Sequence, residues 1–234
     1  MTESATPPGS DTATAPRAGG GVPHVVVIVL NWCREDDTAE CLASLAASDW
    51  PRLTVLLVDN ASADGSAEAA RAHAVTTEVL PLRRRRETAE NARDLLRRAQ
   101  GRFCLLLDED SELEPGATAA LHEALAGAEH AGAAGATLVS PEGAEQPSAW
   151  RFPNAWTRAL GRLGAGRRLL VQSQGEGVRT VDWAPASALL VRRSAAESVD
   201  WFGADEVDFC RRLRRRGWDV LHVPEARAVQ HDAR

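Results

Sequence analysis

The sequence predicts an α/β protein, a mostly parallel sheet flanked by helices, and three observations carry that reading. His24-Val25-Val26-Val27-Ile28-Val29-Leu30 is an unbroken, largely β-branched run, as expected of a strand covered on both faces. Such runs alternate with segments whose apolar residues recur at helical spacing, and repeated strand-helix-strand units imply parallel pairing with right-handed crossovers. Finally, Leu105-Leu106-Leu107 ends abruptly in Asp108-Glu109-Asp110. That places charge at the C-terminal end of a strand, where open α/β sheets bind ligands.

The elements follow in order. Met1 to Val22 is rich in Thr, Ala, Pro, Ser and Gly without periodicity. It cannot bury enough surface to offset the entropy of ordering, so a disordered tail is expected. After the first strand, Asp36-Asp37 opens a helix with Cys41, Leu42, Leu45 and Ala46 at helical spacing, stopped by Pro51. Leu53 to Val58 is a second buried strand, a helix from about Ala67 to His73 follows, and a third strand lies around Val75 to Leu82. Arg83 to Arg86 lead into a helix from about Glu87 to Ala99, with Gly101 as its C-terminal stop. The strand Phe103 to Leu107 delivers the acidic corner, and Pro115 reads as the first turn of a helix to about Ala128. Ala134 to Val139 is the next strand. Between Ala144 and Gly177 loops are expected, with one short helix near Thr157 to Leu163. Val178 to Val191 reads as strand, Asp205 to Arg216 as a helix ended by Gly217, and Trp218 to Val223 as the last strand.

Composition excludes several classes. A net charge of −6 argues against a nucleic-acid partner. Cys33, Cys41, Cys104 and Cys210 are scattered with no C-x-x-C pair, which suits reduced thiols rather than zinc or disulfides. No apolar run approaches the roughly 20 residues of a membrane span, and the N-terminus lacks the order of a signal peptide. A soluble, cytoplasmic protein without a transmembrane segment is the expectation.

The acidic corner is the first candidate for chemistry. Asp108 and Asp110 are two residues apart and share a face if the backbone stays extended. Two hard oxygen ligands suit Mg²⁺ or Mn²⁺, with the other coordination positions left to water and substrate phosphates. An acidic, solvated turn without metal is the competing reading of these residues alone.

Val25 to Asn31, followed by Val58-Asp59-Asn60-Ala61-Ser62-Ala63-Asp64-Gly65-Ser66, resembles the opening of the family-2 glycosyltransferases, in particular the rhamnosyltransferase-like branch. Further segments keep order and spacing: Asp108-Glu109-Asp110, Asp182-Trp183 with Leu189 to Arg193, and Asp205 to Arg212 through Gly217-Trp218. Pro224-x-Ala226 and His231 close the pattern, so the resemblance covers roughly residues 23 to 231. It implies a GT-A fold, Rossmann-like and of the nucleotide-diphospho-sugar transferase type. Residues 23–234 are then one domain, with 23–116 the nucleotide-binding part and 117–234 the acceptor side.

The implied activity is inverting, divalent-metal-dependent transfer of a sugar from a nucleoside-diphosphate donor to the hydroxyl of a glycan, lipid-linked or small-molecule acceptor. By the same resemblance Asp59 contacts the nucleotide, Asn31 lines its crevice, Asp64 lies nearby, and Asn91 keeps part of the pattern after the third strand. Asp108 and Asp110 hold the metal on the donor diphosphate, and His231 adds a further metal ligand. The family's Glu-Asp pair, whose Asp deprotonates the acceptor, corresponds to Asp205-Glu206. These residue types agree with the chemistry. A metal stabilises the developing charge of the leaving diphosphate, and a carboxylate serves as general base toward a hydroxyl.

The chain also departs from the pattern. The acid pair is inverted, which puts Glu206 at the base position, and all three acids of this helix also suit an N-terminus. The glycine-rich, aromatic segment before that helix is shortened to Val199-Asp200-Trp201-Phe202-Gly203-Ala204. The usual Gly-Ala before Leu189 reads Ala186-Ser187-Ala188. Arg83 to Arg86 replace a Gly- and Asn-rich stretch, offering guanidinium forks for a diphosphate or simply a solvated face. The chain stops soon after His231, where the resembling enzymes generally continue, so the expectation is either a compact acceptor site or one completed by a second copy or a partner chain. Trp150, Trp156, Trp183 and Trp201 offer rings for stacking on a sugar, Trp183 and Trp201 foremost, with core packing as the alternative. The rival to an enzyme is a non-catalytic relative that binds nucleotide or a partner protein as an accessory subunit. A sugar nucleotidyltransferase would need a Gly-rich phosphate loop after the first strand, and Trp32-Cys33-Arg34-Glu35 is not one.

Overall fold

Strand β1 (Val25–Asn31) is buried along its whole length, because it lies inside the sheet and both of its faces are covered. Val25, Val27 and Val29 join one core, and Val26, Ile28 and Leu30 the other, as the two-residue period of a strand requires. A computed structural model gives this fold and describes residues 24–152, 170–202 and 204–231. The expected tail, the helix near Thr157 and Trp156 lie outside the described residues.

The elements that follow are α1 (Glu35–Ala46), β2 (Leu53–Asp59), α2 (Ser66–Ala72), β3 (Thr76–Pro81), α3 (Thr88–Arg98), β4 (Phe103–Asp108), β5 (Ser111–Leu113) and α4 (Ala117–Gly127). They continue with β6 (Ala131–Val139), β7 (Arg179–Val181), β8 (Ala188–Arg192), α5 (Arg193–Ser198), α6 (Glu206–Arg215) and β9 (Asp219–Gln230). One sheet runs in the order β3-β2-β1-β4-β8-β6-β9-β5, with β7 also on β9. The first four strands pair in parallel, while β8 is antiparallel to both β4 and β6. Leu42 and Leu45 of α1, Ala70 of α2, and Leu121 and Leu125 of α4 cover one face. Leu95 and Leu96 of α3, Ala195 of α5, and Phe209 and Leu213 of α6 cover the other.

Parallel register sets the site. Asn31 stands opposite Asp59, and Leu30 opposite Asp108, so the ends of β1, β2 and β4 share one edge of the sheet. Because β8 runs antiparallel to β4, with Ala188 opposite Leu107, it starts where β4 ends and sets Ser187 beside Asp108.

Several expectations change. The stretch Val178 to Val191 is two strands, β7 and β8, separated by a loop. The last strand runs on to Gln230 with an irregularity where it passes β6. Asp108 and Asp110 do not lie on one extended strand. The chain turns at Glu109-Asp110 and re-enters the sheet as β5, antiparallel to β9. Helix α4 therefore begins at Ala117 rather than Pro115, after Gly116 at φ +81°. Gly101 is not a left-handed cap. A Cβ there would lie 2.8 Å from Val26 Cγ2 and from the Phe103 carbonyl oxygen, so close approach demands it.

Candidate active site

Asn31 knots the edge of the sheet together. Its Nδ2 donates to Ser66 Oγ at 2.9 Å and Ser62 Oγ at 3.3 Å, with Asp59 Oδ1 at 3.5 Å, while its Oδ1 accepts from Thr38 Oγ1 at 2.7 Å. Asp59 is also buried, and its Oδ1 accepts the Ser62 amide at 3.1 Å. Asp64 is exposed and receives Ser66 N and Oγ at the start of α2. These bonds fix the loops that follow β1 and β2 around the end of the sheet.

A cavity of about 640 Å³ opens there, lined by Asn31, Trp32, Asn60, Asn91, Asp108 and Glu109, and walled by Arg84, Arg85 and Arg86. Its size suits a nucleotide-sized ligand. Asn60 ties the wall to β2. Its Oδ1 accepts the Arg86 amide at 2.8 Å and its Nδ2 donates to the Arg86 carbonyl at 2.9 Å.

The acidic corner carries more negative charge than its surroundings balance. Burial, opposed in part by a 2.8 Å hydrogen bond from Ser187 Oγ, lifts Asp108 to about 6. Burial lifts Glu109 to about 7, and Asp110 also rises. Arg34 is the neighbouring cation, 3.3 Å from Asp110 Oδ2, 3.9 Å from Glu109 Oε1 and 2.8 Å from Asp37 Oδ2. Carboxylates crowded together and desolvated hold their protons unless a cation joins them. A hard divalent ion fits this all-oxygen donor set.

His231 reaches the corner through its backbone, donating its amide to the Asp110 carbonyl at 2.9 Å. Its imidazole Nε2 pairs with Glu112 Oε1 at 2.6 Å and lies 3.8 Å from Glu40 Oε2. The ring thus faces Glu112, Glu40 and Asp37.

A second cavity of about 560 Å³ lies on the other side of Ser187, lined by Trp150, Trp183, Leu138, Val171, Gln230 and Glu206 among others. The Trp150 and Trp183 rings stack there, 5.8 Å between centroids and 13° from parallel. Trp201 instead packs on the core with Arg193 over its ring. Glu206 is the single carboxylate among the described residues of this lining, and it lies close enough to raise Asp108 further. Asp205 has a different job. It is the N-cap of α6, accepting the Asp208 amide at 2.7 Å.

Arg34 and Gln230 carry no signal in the sequence, and Asn60 and Ser187 stand there only inside longer segments, with no role of their own. Ser187 lies 79 positions from Asp108, and Gln230 donates to Ser187 Oγ at 3.1 Å. No spacing signals such contacts, which arise from antiparallel pairing of β8 with β4 and of β5 with β9.

A family model described as "Glycosyl transferase family 2" matches residues 24–175. The chain is 29% identical over 221 residues to N-acetylglucosaminyl-diphospho-decaprenol L-rhamnosyltransferase of Mycobacterium tuberculosis, covering 82% of this chain and 71% of that protein. Among solved structures, the mannosyltransferase PcManGT from Pyrobaculum calidifontis in complex with GDP-Man and Mn²⁺ superposes with a TM-score of 0.65 at 21% identity. S. aureus TarS 1-349 in complex with UDP-GlcNAc gives a TM-score of 0.69 at 16% identity. Both alignments cover 90% of this chain but only 57% and 59% of those chains, and at such identity they establish the fold alone. With the acidic corner at the end of β4 and the match running through it, the chain belongs to glycosyl transferase family 2 and has the GT-A fold.

Proposed function

We propose that the protein is an inverting, divalent-metal-dependent glycosyltransferase that moves a sugar from a nucleoside-diphosphate donor to an acceptor hydroxyl. The observation that carries this reading is the meeting of the two cavities. Asp108 lines the first, and its hydrogen-bond partner Ser187 lines the second together with Glu206. A donor in the first cavity and a hydroxyl in the second would face one another across that pair.

Asp108 and Asp110 would hold Mg²⁺ or Mn²⁺, which supplies charge neutralisation at the leaving diphosphate. Ser187 and Gln230 orient the carboxylates of that corner. Glu206 takes the proton from the acceptor hydroxyl as general base. Direct attack needs one base and no enzyme-bound intermediate, and so inverts the anomeric carbon. Asp205 fixes the start of α6 and thereby the place of Glu206. Asn31, Asp59 and Asp64 set the loops around the nucleotide, with Asn91 on its far wall. His231 supports the corner through its backbone and its contact with Glu112.

The Trp150–Trp183 pair gives an acceptor ring an apolar platform. The rhamnosyl-transferring relative supports a sugar hydroxyl as acceptor, on a glycan, a lipid-linked intermediate or a small molecule. We read the described residues as one catalytic domain. None of the four cysteines is in a disulfide, which suits a cytoplasmic setting. Among the described residues no helix is long and apolar enough to cross a membrane.

Calorimetric titration of UDP, TDP and GDP, with and without Mn²⁺, tests the donor site. One nucleotide should bind more tightly with metal, and Asp110→Ala should abolish that gain. Absence of binding in a folded sample would instead favour the accessory-subunit reading.

A further inference from the structure

The wall of the donor cavity holds cations that the acidic corner does not use. Arg84, Arg85 and Arg86 all line it, together with Asp108 and Glu109. Arg86, just before α3, is committed to that helix, 3.5 Å from Glu90 Oε1 and 3.1 Å from Asp94 Oδ2. Arg84 and Arg85 are exposed, and neither has a carboxylate partner among the described residues. The segment that carries them is not a loose tail. Asn60 clamps Arg86 on both its amide and its carbonyl, and Leu82 N donates to the Asp59 carbonyl at 2.9 Å. Arg84 and Arg85 are therefore held between two anchored residues along the cavity.

Arg85 is further restrained by stacking. Its guanidinium carbon sits 3.4 Å from the centroid of the Trp32 ring. Stacking occupies the guanidinium face and leaves its N–H donors free in the plane, the direction in which an arginine forks onto phosphate oxygens. Glu87 and Glu90 lie in the same lining, but Glu90 already faces Arg86.

We propose that Arg84 and Arg85 supply a second counter-charge for the donor diphosphate, separate from the metal corner, so that nucleoside diphosphates retain a metal-independent component of binding. This rests on the donor reading of the cavity. The two arginines then select donors by their diphosphate, whatever the base.

The test is calorimetric titration of UDP, TDP, GDP and inorganic pyrophosphate into the wild type, the Arg84→Ala/Arg85→Ala variant and the Arg84→Lys/Arg85→Lys variant, in Mn²⁺ and in EDTA. Both positions are exposed, and thermal melts will check that the variants fold. In EDTA the wild type should still bind its preferred nucleotide. The alanine pair should weaken that binding by about tenfold or more, with a flatter salt dependence, as expected for lost charge-assisted hydrogen bonds. The lysine pair should recover part of it, because charge returns without the fork. Equal affinity of the alanine pair and the wild type in EDTA would overturn the proposal, as would wild-type binding seen only with Mn²⁺. Either result would leave the donor site standing. No binding of any nucleotide even with Mn²⁺ would remove the donor reading and this proposal together.

Discussion

Asp205 and Glu206 are neighbours in the chain, yet one caps a helix and the other faces a cavity. Their substitutions should separate accordingly. Glu206→Gln should lower kcat by roughly 10²- to 10⁴-fold while leaving nucleotide affinity and melting temperature near those of the wild type. Asp205→Ala should cost about 1 kcal/mol of stability through the lost cap, read by urea denaturation, with Asp205→Asn restoring most of it. The acidic corner gives a pH prediction. Asp108 and Glu109 titrate near 6 and 7 in the folded chain, above ordinary carboxyl values. The folded state thus holds protons that the unfolded state has already released, and this corner lowers stability as pH rises through the acid range. A divalent ion must displace those protons, so Mn²⁺ affinity should climb with pH and level off above about 7. Calorimetry in two buffers of different ionisation enthalpy would show the proton release below that pH, and a flat profile would count against metal binding here.

At the scale of elements, close packing decides what sequence patterns leave open. Strand β6 carries small residues because its neighbours come near. A Cβ at Gly135 would lie 2.5 Å from Ala184 Cβ. Gly135→Ala should therefore destabilise by about 1–3 kcal/mol through overpacking, measured as a lower urea midpoint. Helix α6 ends as its sequence forecasts. Gly217 takes φ +83°, its amide bonds to the Arg214 carbonyl and Trp218 N to the Leu213 carbonyl, the paired bonds of a glycine-terminated helix. Strand β5, by contrast, was not readable. Its three residues, Ser111-Glu112-Leu113, are too few to show a period, and only pairing with the end of β9 makes them a strand. That pairing brings Gln230 and His231 to the acidic corner.

For the whole molecule, one buried group sets an acid limit. His222 is fully buried in β9, and burial holds its imidazole down at about 4. Its Nε2 lies 3.4 Å from Thr137 Oγ1, while its Nδ1 has no partner among the described residues. Since the unfolded chain protonates near the usual imidazole value, it binds the extra proton first as pH falls, and stability drops between about 6.5 and 4. The melting temperature should fall across that window, and the fall should shrink in His222→Gln. The acidic corner works in the opposite sense over the same range, so the substitution is needed to isolate the histidine.

The sequence by itself determined the α/β class, the first four parallel strands and the positions of Asn31, Asp59 and Asp108 at their ends. Those follow from local physics: β-branched runs, helical spacing, and carboxylates where a buried run stops. It also pointed to the acid pair before α6, because a helix N-terminus favours such residues whether or not they act. Tertiary structure alone decided that Asp205 caps α6 while Glu206 lines a cavity beside Ser187, that Ser187 and Gln230 serve Asp108, and that Arg34 sits among the corner's carboxylates. It also decided that Arg84, Arg85 and Arg86 border the first cavity while Arg84 and Arg85 stay exposed, with Arg86 clamped by Asn60. Each of these depends on contacts between segments far apart in the chain. Antiparallel pairing and side-chain hydrogen bonds create them, and neither leaves a period or a spacing in the sequence.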